Sequence, residues 1–259
     1  MKSLLNILAF GFLISCTNPE DPIIPEKLDE NLLKLDQVLA KPYETPVGKL
    51  KSEYFYYGPG TLEFQFRTDY YYDSQERELF TVRIQNGDTT KIDLNIYLAN
   101  GMLDKTSIFF PTPSGFSFSY NFQRFYENDG KKIDVMSGIE GHFDQYSRYI
   151  FDDLGRLSSY RRGTDSNYDL NEYLYESENS EIIVGEYYSQ TGMTQPFYNY
   201  KYDYNDKGLL VAKSLRIVSA EYRPAYEYYY NSEGKLIEEI TNDLYFGTTP
   251  VEKKKYEYY

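Results

Sequence analysis

The nine residues Tyr149-Ile150-Phe151-Asp152-Asp153-Leu154-Gly155-Arg156-Leu157 decide the fold. Apolar and aromatic residues lead into Asp152, Gly155 follows three positions later, and Leu157 reopens the apolar pattern. Aspartate opens a turn because its carboxylate can bond the backbone two residues on. Glycine closes it because a type I turn followed by a G1 bulge needs a positive φ at that position. The stretch reads as the tip of a β-hairpin, with a strand running in and a strand running out.

The unit returns at Tyr202-Asp203-Tyr204-Asn205-Asp206-Lys207-Gly208-Leu209-Leu210 and at Tyr228-Tyr229-Tyr230-Asn231-Ser232-Glu233-Gly234-Lys235-Leu236. Weaker copies lie at Tyr97–Gly101 and Tyr126–Gly130, and Tyr72–Glu76 and Tyr175–Asn179 keep the spacing without the glycine. The turn positions 76, 101, 130, 155, 179, 208 and 234 fall 24 to 29 residues apart, a period that signals a repeat architecture. Asn179 tolerates a left-handed backbone, whereas Glu76 does not, so the Glu76 turn is expected to be longer or differently built.

Between the turns the pattern has period two. Phe116, Phe118, Tyr120 and Phe122 alternate with polar residues, as do Tyr198, Tyr200, Tyr202 and Tyr204. Each run places its rings on one face of a strand. Seven or eight such hairpins give about 14–16 strands, and open sheets rarely exceed about 10 without curling. The expected fold is all-β: one long curled antiparallel meander of repeated hairpins over 43–259, rings inside, with one short N-terminal helix. A closed outer-membrane barrel would need an uncharged outward belt. The Lys and Glu residues within most strands argue against that alternative.

The units resemble the YD repeats of RHS-type bacterial proteins, roughly Tyr-x-Tyr-Asp-x-x-Gly-Arg-Leu. They also look like the repeats of Bacteroidota lipoproteins. The resemblance is specific around Tyr149–Leu157, Tyr202–Leu210 and Tyr228–Leu236. In the RHS family many units spiral into a shell around a toxin; here the shape is expected to carry over and the encapsulating role is not. The chain stops at Tyr256-Glu257-Tyr258-Tyr259, the start of another unit.

The other end carries a second signal. Met1-Lys2-Ser3 precedes an apolar run from Leu4 to Ile14, then Ser15 and the only cysteine, Cys16. The run is too short to span a bilayer, which needs about 20 residues, and reads as an export signal over 1–15. Ending in cysteine, it resembles the lipobox of bacterial lipoproteins, which implies lipid attachment at Cys16 and a signal-peptidase cut before it. By the same resemblance, Thr17 rather than Asp after the cysteine favours the outer membrane, on its periplasmic or surface-exposed face. Residues 16–25, with Pro19, Pro22 and Pro25, form an extended tether. Leu28, Leu32, Leu35 and Leu39 then fall on one face of a helix over 26–40.

A net charge of −13 without a basic patch excludes a nucleic-acid partner. His142 is alone, and no Gly-x-Ser-x-Gly elbow, phosphate loop or His-Glu-x-x-His spacing accompanies it. No catalytic, cofactor-binding or metal residue is therefore expected. With 31 Tyr and 16 Phe, most rings must cover a sheet face. Runs with rings on both faces, Tyr54–Tyr57 and Tyr70–Tyr72, are where an exposed binding platform would lie. The expected role is a lipid-anchored cell-envelope protein, a non-enzymatic scaffold or protein-interaction module, or alternatively a glycan-binding lipoprotein using exposed tyrosines. Its partners would be the membrane, through the anchor, and an envelope protein or glycan.

Overall fold

The computed structural model describes residues 30–40, 43–139, 142–163, 167–178, 180–192, 198–217, 220–243 and 249–259. Cys16, the signal, the tether, Leu28 and Asn179 lie outside the described residues. One helix, α1 (Glu30–Leu39), precedes sixteen strands. The first eight are β1 (Leu50–Tyr57), β2 (Glu63–Tyr72), β3 (Glu78–Gln85), β4 (Asp88–Tyr97), β5 (Leu103–Thr112), β6 (Gly115–Glu127), β7 (Lys132–Ile139) and β8 (His142–Phe151). The second eight are β9 (Leu157–Gly163), β10 (Tyr168–Tyr175), β11 (Ile183–Gln190), β12 (Tyr198–Tyr204), β13 (Leu210–Ile217), β14 (Arg223–Tyr230), β15 (Leu236–Asn242) and β16 (Pro250–Tyr258). Every strand pairs antiparallel with its chain neighbour, and β1 pairs with β16. The meander therefore closes into a barrel.

The described turns of the repeat sit at one rim. At Asp152 the carboxylate accepts the amides of Leu154 and Arg156, each at 2.9 Å, and the Arg156 Nε at 2.7 Å. Gly155, at φ 79°, donates to the Asp152 carbonyl at 3.0 Å. Asp73 repeats the arrangement with Gln75 and Arg77, and Asn205 and Asn231 repeat its backbone part. The Glu76 turn departs from expectation: it has the same length and the same bonds, with Glu76 itself at φ 57°. The capping carboxylate of Asp73 evidently outweighs the cost of a left-handed glutamate, about 1–2 kcal/mol.

The tyrosine that ends each incoming strand explains the first letter of the repeat. The hydroxyls of Tyr72, Tyr97, Tyr126, Tyr175, Tyr204, Tyr230 and Tyr258 each donate to a carbonyl in the preceding hairpin: Leu50, Glu78, Leu103, Leu157, Ile183, Leu210 and Leu236, at 2.5–2.8 Å. The eighth position of this ring is Phe151, which has no hydroxyl to give. Arg77, Arg156 and Lys235 lie over the ring of the next such tyrosine, at 4.5, 4.2 and 5.5 Å. Each unit is thus stitched to the next through side chains as well as through the ladder.

Closure follows from the same unit. Tyr259 stands where Asp152 or Asn231 stands elsewhere, and Gly48-Lys49-Leu50 completes it from the other end of the barrel domain. Gly48, at φ 87°, donates to the Tyr259 carbonyl, and Tyr259 donates to Lys49, each at 3.0 Å. Gly234 and Asn231 make the same two bonds inside an unbroken unit, at 3.0 and 2.9 Å. The eighth hairpin is split between the two ends, and joining them seals the sheet.

The tyrosine face is the lumen face. Burial pushes the hydroxyls of Tyr70, Tyr173, Tyr200, Tyr202 and Tyr228 far above their ordinary 10, while their outward neighbours Leu174, Tyr187 and Tyr229 are exposed. Those inward rings are nevertheless only half-buried. Sixteen strands enclose a bore too wide for side chains to fill.

The apolar core lies outside the barrel wall. Leu35, Phe80, Ile92, Leu94 and Phe109 cluster on the outward face of β3–β5, beneath α1. Leu35 is 1% exposed, and Val38 and Leu39 pack beside it, so the described half of the predicted stripe, Leu35 and Leu39, docks on the barrel.

Candidate functional site

Two faces could carry function, the outer wall and the lumen. From β7 round to β2 the outer wall is charged. Arg148 pairs with Asp134 at 2.7 Å, Arg67 with Asp69 at 2.9 Å and Lys201 with Asp203 at 2.5 Å, and Lys253, Lys255, Glu227 and Glu238 also point outward by strand alternation. A Lys or Arg at the bilayer midplane costs about 2–4 kcal/mol. Among the described residues these charges interrupt the uncharged belt that a membrane-spanning barrel needs on this arc. Among the described residues no helix is long and apolar enough to cross a membrane.

The aromatic runs singled out as platforms resolve differently. Tyr71 stacks on Phe80 at 4.4 Å beside α1, and Tyr70 and Tyr72 turn into the lumen, so this run is used up by packing. Phe55 stacks on Phe66 at 4.9 Å. Of the two runs only Tyr57, 51% exposed, stands clear, with Phe64 beside it at 47%. His142 opens β8 opposite Ile139. Groups of three or more His, Cys, Asp or Glu side chains able to hold a metal are absent among the described residues.

A pocket of about 290 Å³ lies between α1 and the turn rim of β3 and β4, lined by Lys34, Val38, Asp73, Arg77, Leu94 and Tyr97 among others. Its charged groups at the rim are already engaged: Arg77 pairs with Asp73 at 2.7 Å and covers Tyr97.

Polar clusters in the lumen were not legible from the sequence, since they join residues several strands apart. Glu186, 2% exposed, accepts from Asn171, from the Tyr202 hydroxyl at 2.5 Å and from Lys213 at 2.6 Å. Lys213 is boxed by the rings of Tyr200, Tyr202 and Tyr226 at 4.0, 5.3 and 5.5 Å. A buried ion pair of this kind is tolerated only with its hydrogen bonds complete, and here they are. A second group lies around the β1–β16 seam. The Tyr256 hydroxyl donates to Glu239 at 3.1 Å, and Glu53 faces the same space. Burial, reinforced by Glu239 and opposed by Lys254 and Arg83, holds the Glu53 carboxyl above the usual range.

Comparison with known proteins finds structural likeness at low sequence identity. No family model matches the chain, and no curated protein matches it. A porin-like protein from Bacteroides uniformis superposes with a TM-score of 0.40 at 9% identity, covering 85% of this chain and 100% of that one. The crystal structure of TcdB2-TccC3 gives 0.29 at 11% identity, over 74% of this chain and 13% of the other. A Tc holotoxin pore from Photorhabdus luminescens gives 0.28 at 12% identity, over 72% and 12%.

Proposed function

We propose that this protein is a cell-envelope lipoprotein held to the outer membrane by a lipidated Cys16. Its barrel acts as a non-enzymatic recognition or scaffold module. The observation that carries the reading is the charged outer wall. A barrel so clothed stands in water, and its sealed sheet offers no free edge for strand addition. Attachment to the envelope then falls to the N-terminal segment, where Ser15-Cys16 closes an apolar run. A multiply acylated cysteine holds durably where one chain would not.

The test is labelled-palmitate incorporation with membrane fractionation of the full-length chain and its Cys16→Ala variant. Label on the wild type alone, with the variant released from the membrane fraction, supports the anchor. A variant that stays in the outer membrane as firmly as the wild type overturns it.

A further inference from the structure

The cluster around Glu186 has the parts of a cation site. Register sets Tyr200 opposite Glu186, Lys213 opposite Tyr202 and Tyr226 opposite Lys213, so β11 to β14 present these side chains next to one another on the inner wall. The Lys213 ammonium lies 4.0, 5.3 and 5.5 Å from the ring centres of Tyr200, Tyr202 and Tyr226. It donates to one oxygen of Glu186 at 2.6 Å. Tyr202 donates to that same oxygen at 2.5 Å, and Asn171 donates to the other. Two donors besides the lysine therefore hold the carboxylate in place.

A cation over aromatic faces is attracted by their quadrupoles, and a carboxylate beside it adds a charge-assisted hydrogen bond. We propose that Glu186, Tyr200, Tyr202 and Tyr226 form a binding site for a primary alkylammonium, and that its resident occupant is the chain's own Lys213. Beyond Cβ the lysine side chain is a propylammonium group, so n-propylammonium is the free ligand that fits. The Lys213 side chain is 17% exposed and that of Glu186 only 2%, so the carboxylate is covered while the lysine keeps a face toward the bore. Removing the lysine stem opens a way in and leaves a desolvated charge short of its partner, a costly state that capture of a cation relieves. While Lys213 is present, its tether holds it at an effective concentration that a free amine does not match. The inference goes beyond the recognition role proposed above and is independent of the anchor at Cys16.

The experiment is thermal melting of the detergent-purified full-length protein, as wild type and Lys213→Ala, in n-propylammonium chloride. Sodium chloride and n-propanol are the controls for charge and shape. The melting temperature of Lys213→Ala is expected to rise by several degrees with the amine and to level off at millimolar concentration, as for any ligand of the folded state. Wild type and Lys213→Met, whose side chain fills the space, should shift no more than in sodium chloride. Adding Glu186→Gln to Lys213→Ala should weaken the response about tenfold or more. If Lys213→Ala is unfolded without ligand, the amine should restore its strand circular dichroism. An equal shift with sodium chloride or n-propanol overturns the proposal. So does an equal response of the double variant, or a Lys213→Ala chain that neither melts higher nor refolds with the amine.

Discussion

At the residue scale the repeat is a set of side-chain bonds rather than a consensus. The tyrosine hydroxyl ties its unit to the one before, and Tyr204→Phe removes one such bond, from the Ile183 carbonyl at 2.7 Å. The expected cost is about 1 kcal/mol, read as a lowered melting temperature; an unchanged melt would show that the ring of hydroxyls is incidental. Glu76 occupies a glycine position at φ 57°. Glu76→Gly should therefore raise stability by up to about 1 kcal/mol in urea denaturation, and a loss would mean that the glutamate side chain contributes more than its backbone costs. Arg77 and two backbone amides hold the Asp73 carboxyl below its ordinary 3.8, against burial, which raises it. A depressed pKa gives stability that is present above 3.8 and is lost as pH falls toward the folded value. Urea midpoints between pH 5 and 2.5 should fall less steeply for Asp73→Asn than for the wild type. Parallel curves would remove Asp73 from the acid response.

At the scale of elements, α1 supplies what a barrel with so wide a bore lacks, a dry core. The outward apolar patch of β3–β5 lies beneath the ten residues of α1, among which Leu35 is 1% exposed. Leu35→Ala should cost about 2–5 kcal/mol and expose the patch, seen as increased binding of a hydrophobic dye. A variant with wild-type melting and no dye binding would show that the helix is dispensable. The helix stripe was legible because Leu residues recur at helical spacing. Its target was not, because the patch joins strands whose outward and inward faces look alike in sequence: Phe80 and Leu94 turn outward, Tyr70 and Tyr72 inward.

At the scale of the whole molecule, closure rests on one split hairpin. Deleting residues 250–259 removes β16, with the half-hairpin that Gly48-Lys49-Leu50 completes, and bares the edges of β1 and β15. Long unpaired edges recruit other chains, so the truncated protein should associate in a concentration-dependent way during sedimentation. A truncated chain that stays monomeric and melts with the wild type would show that the seam is not what seals the barrel.

The sequence by itself determined the all-β class, the hairpin period, the turn chemistry and the existence of α1. Each is a local matter: a turn needs its Asp and Gly within a few residues, and a strand needs only its alternation. Tertiary structure decided that the wall closes, that the core lies outside it and that Glu186, Tyr202 and Lys213 meet in the lumen. Closure depends on Gly48 meeting Tyr259 across the length of the chain, and the meeting of Glu186 with Tyr202 and Lys213 depends on strand register. Neither is written in any window of the sequence, because both are properties of which strands become neighbours.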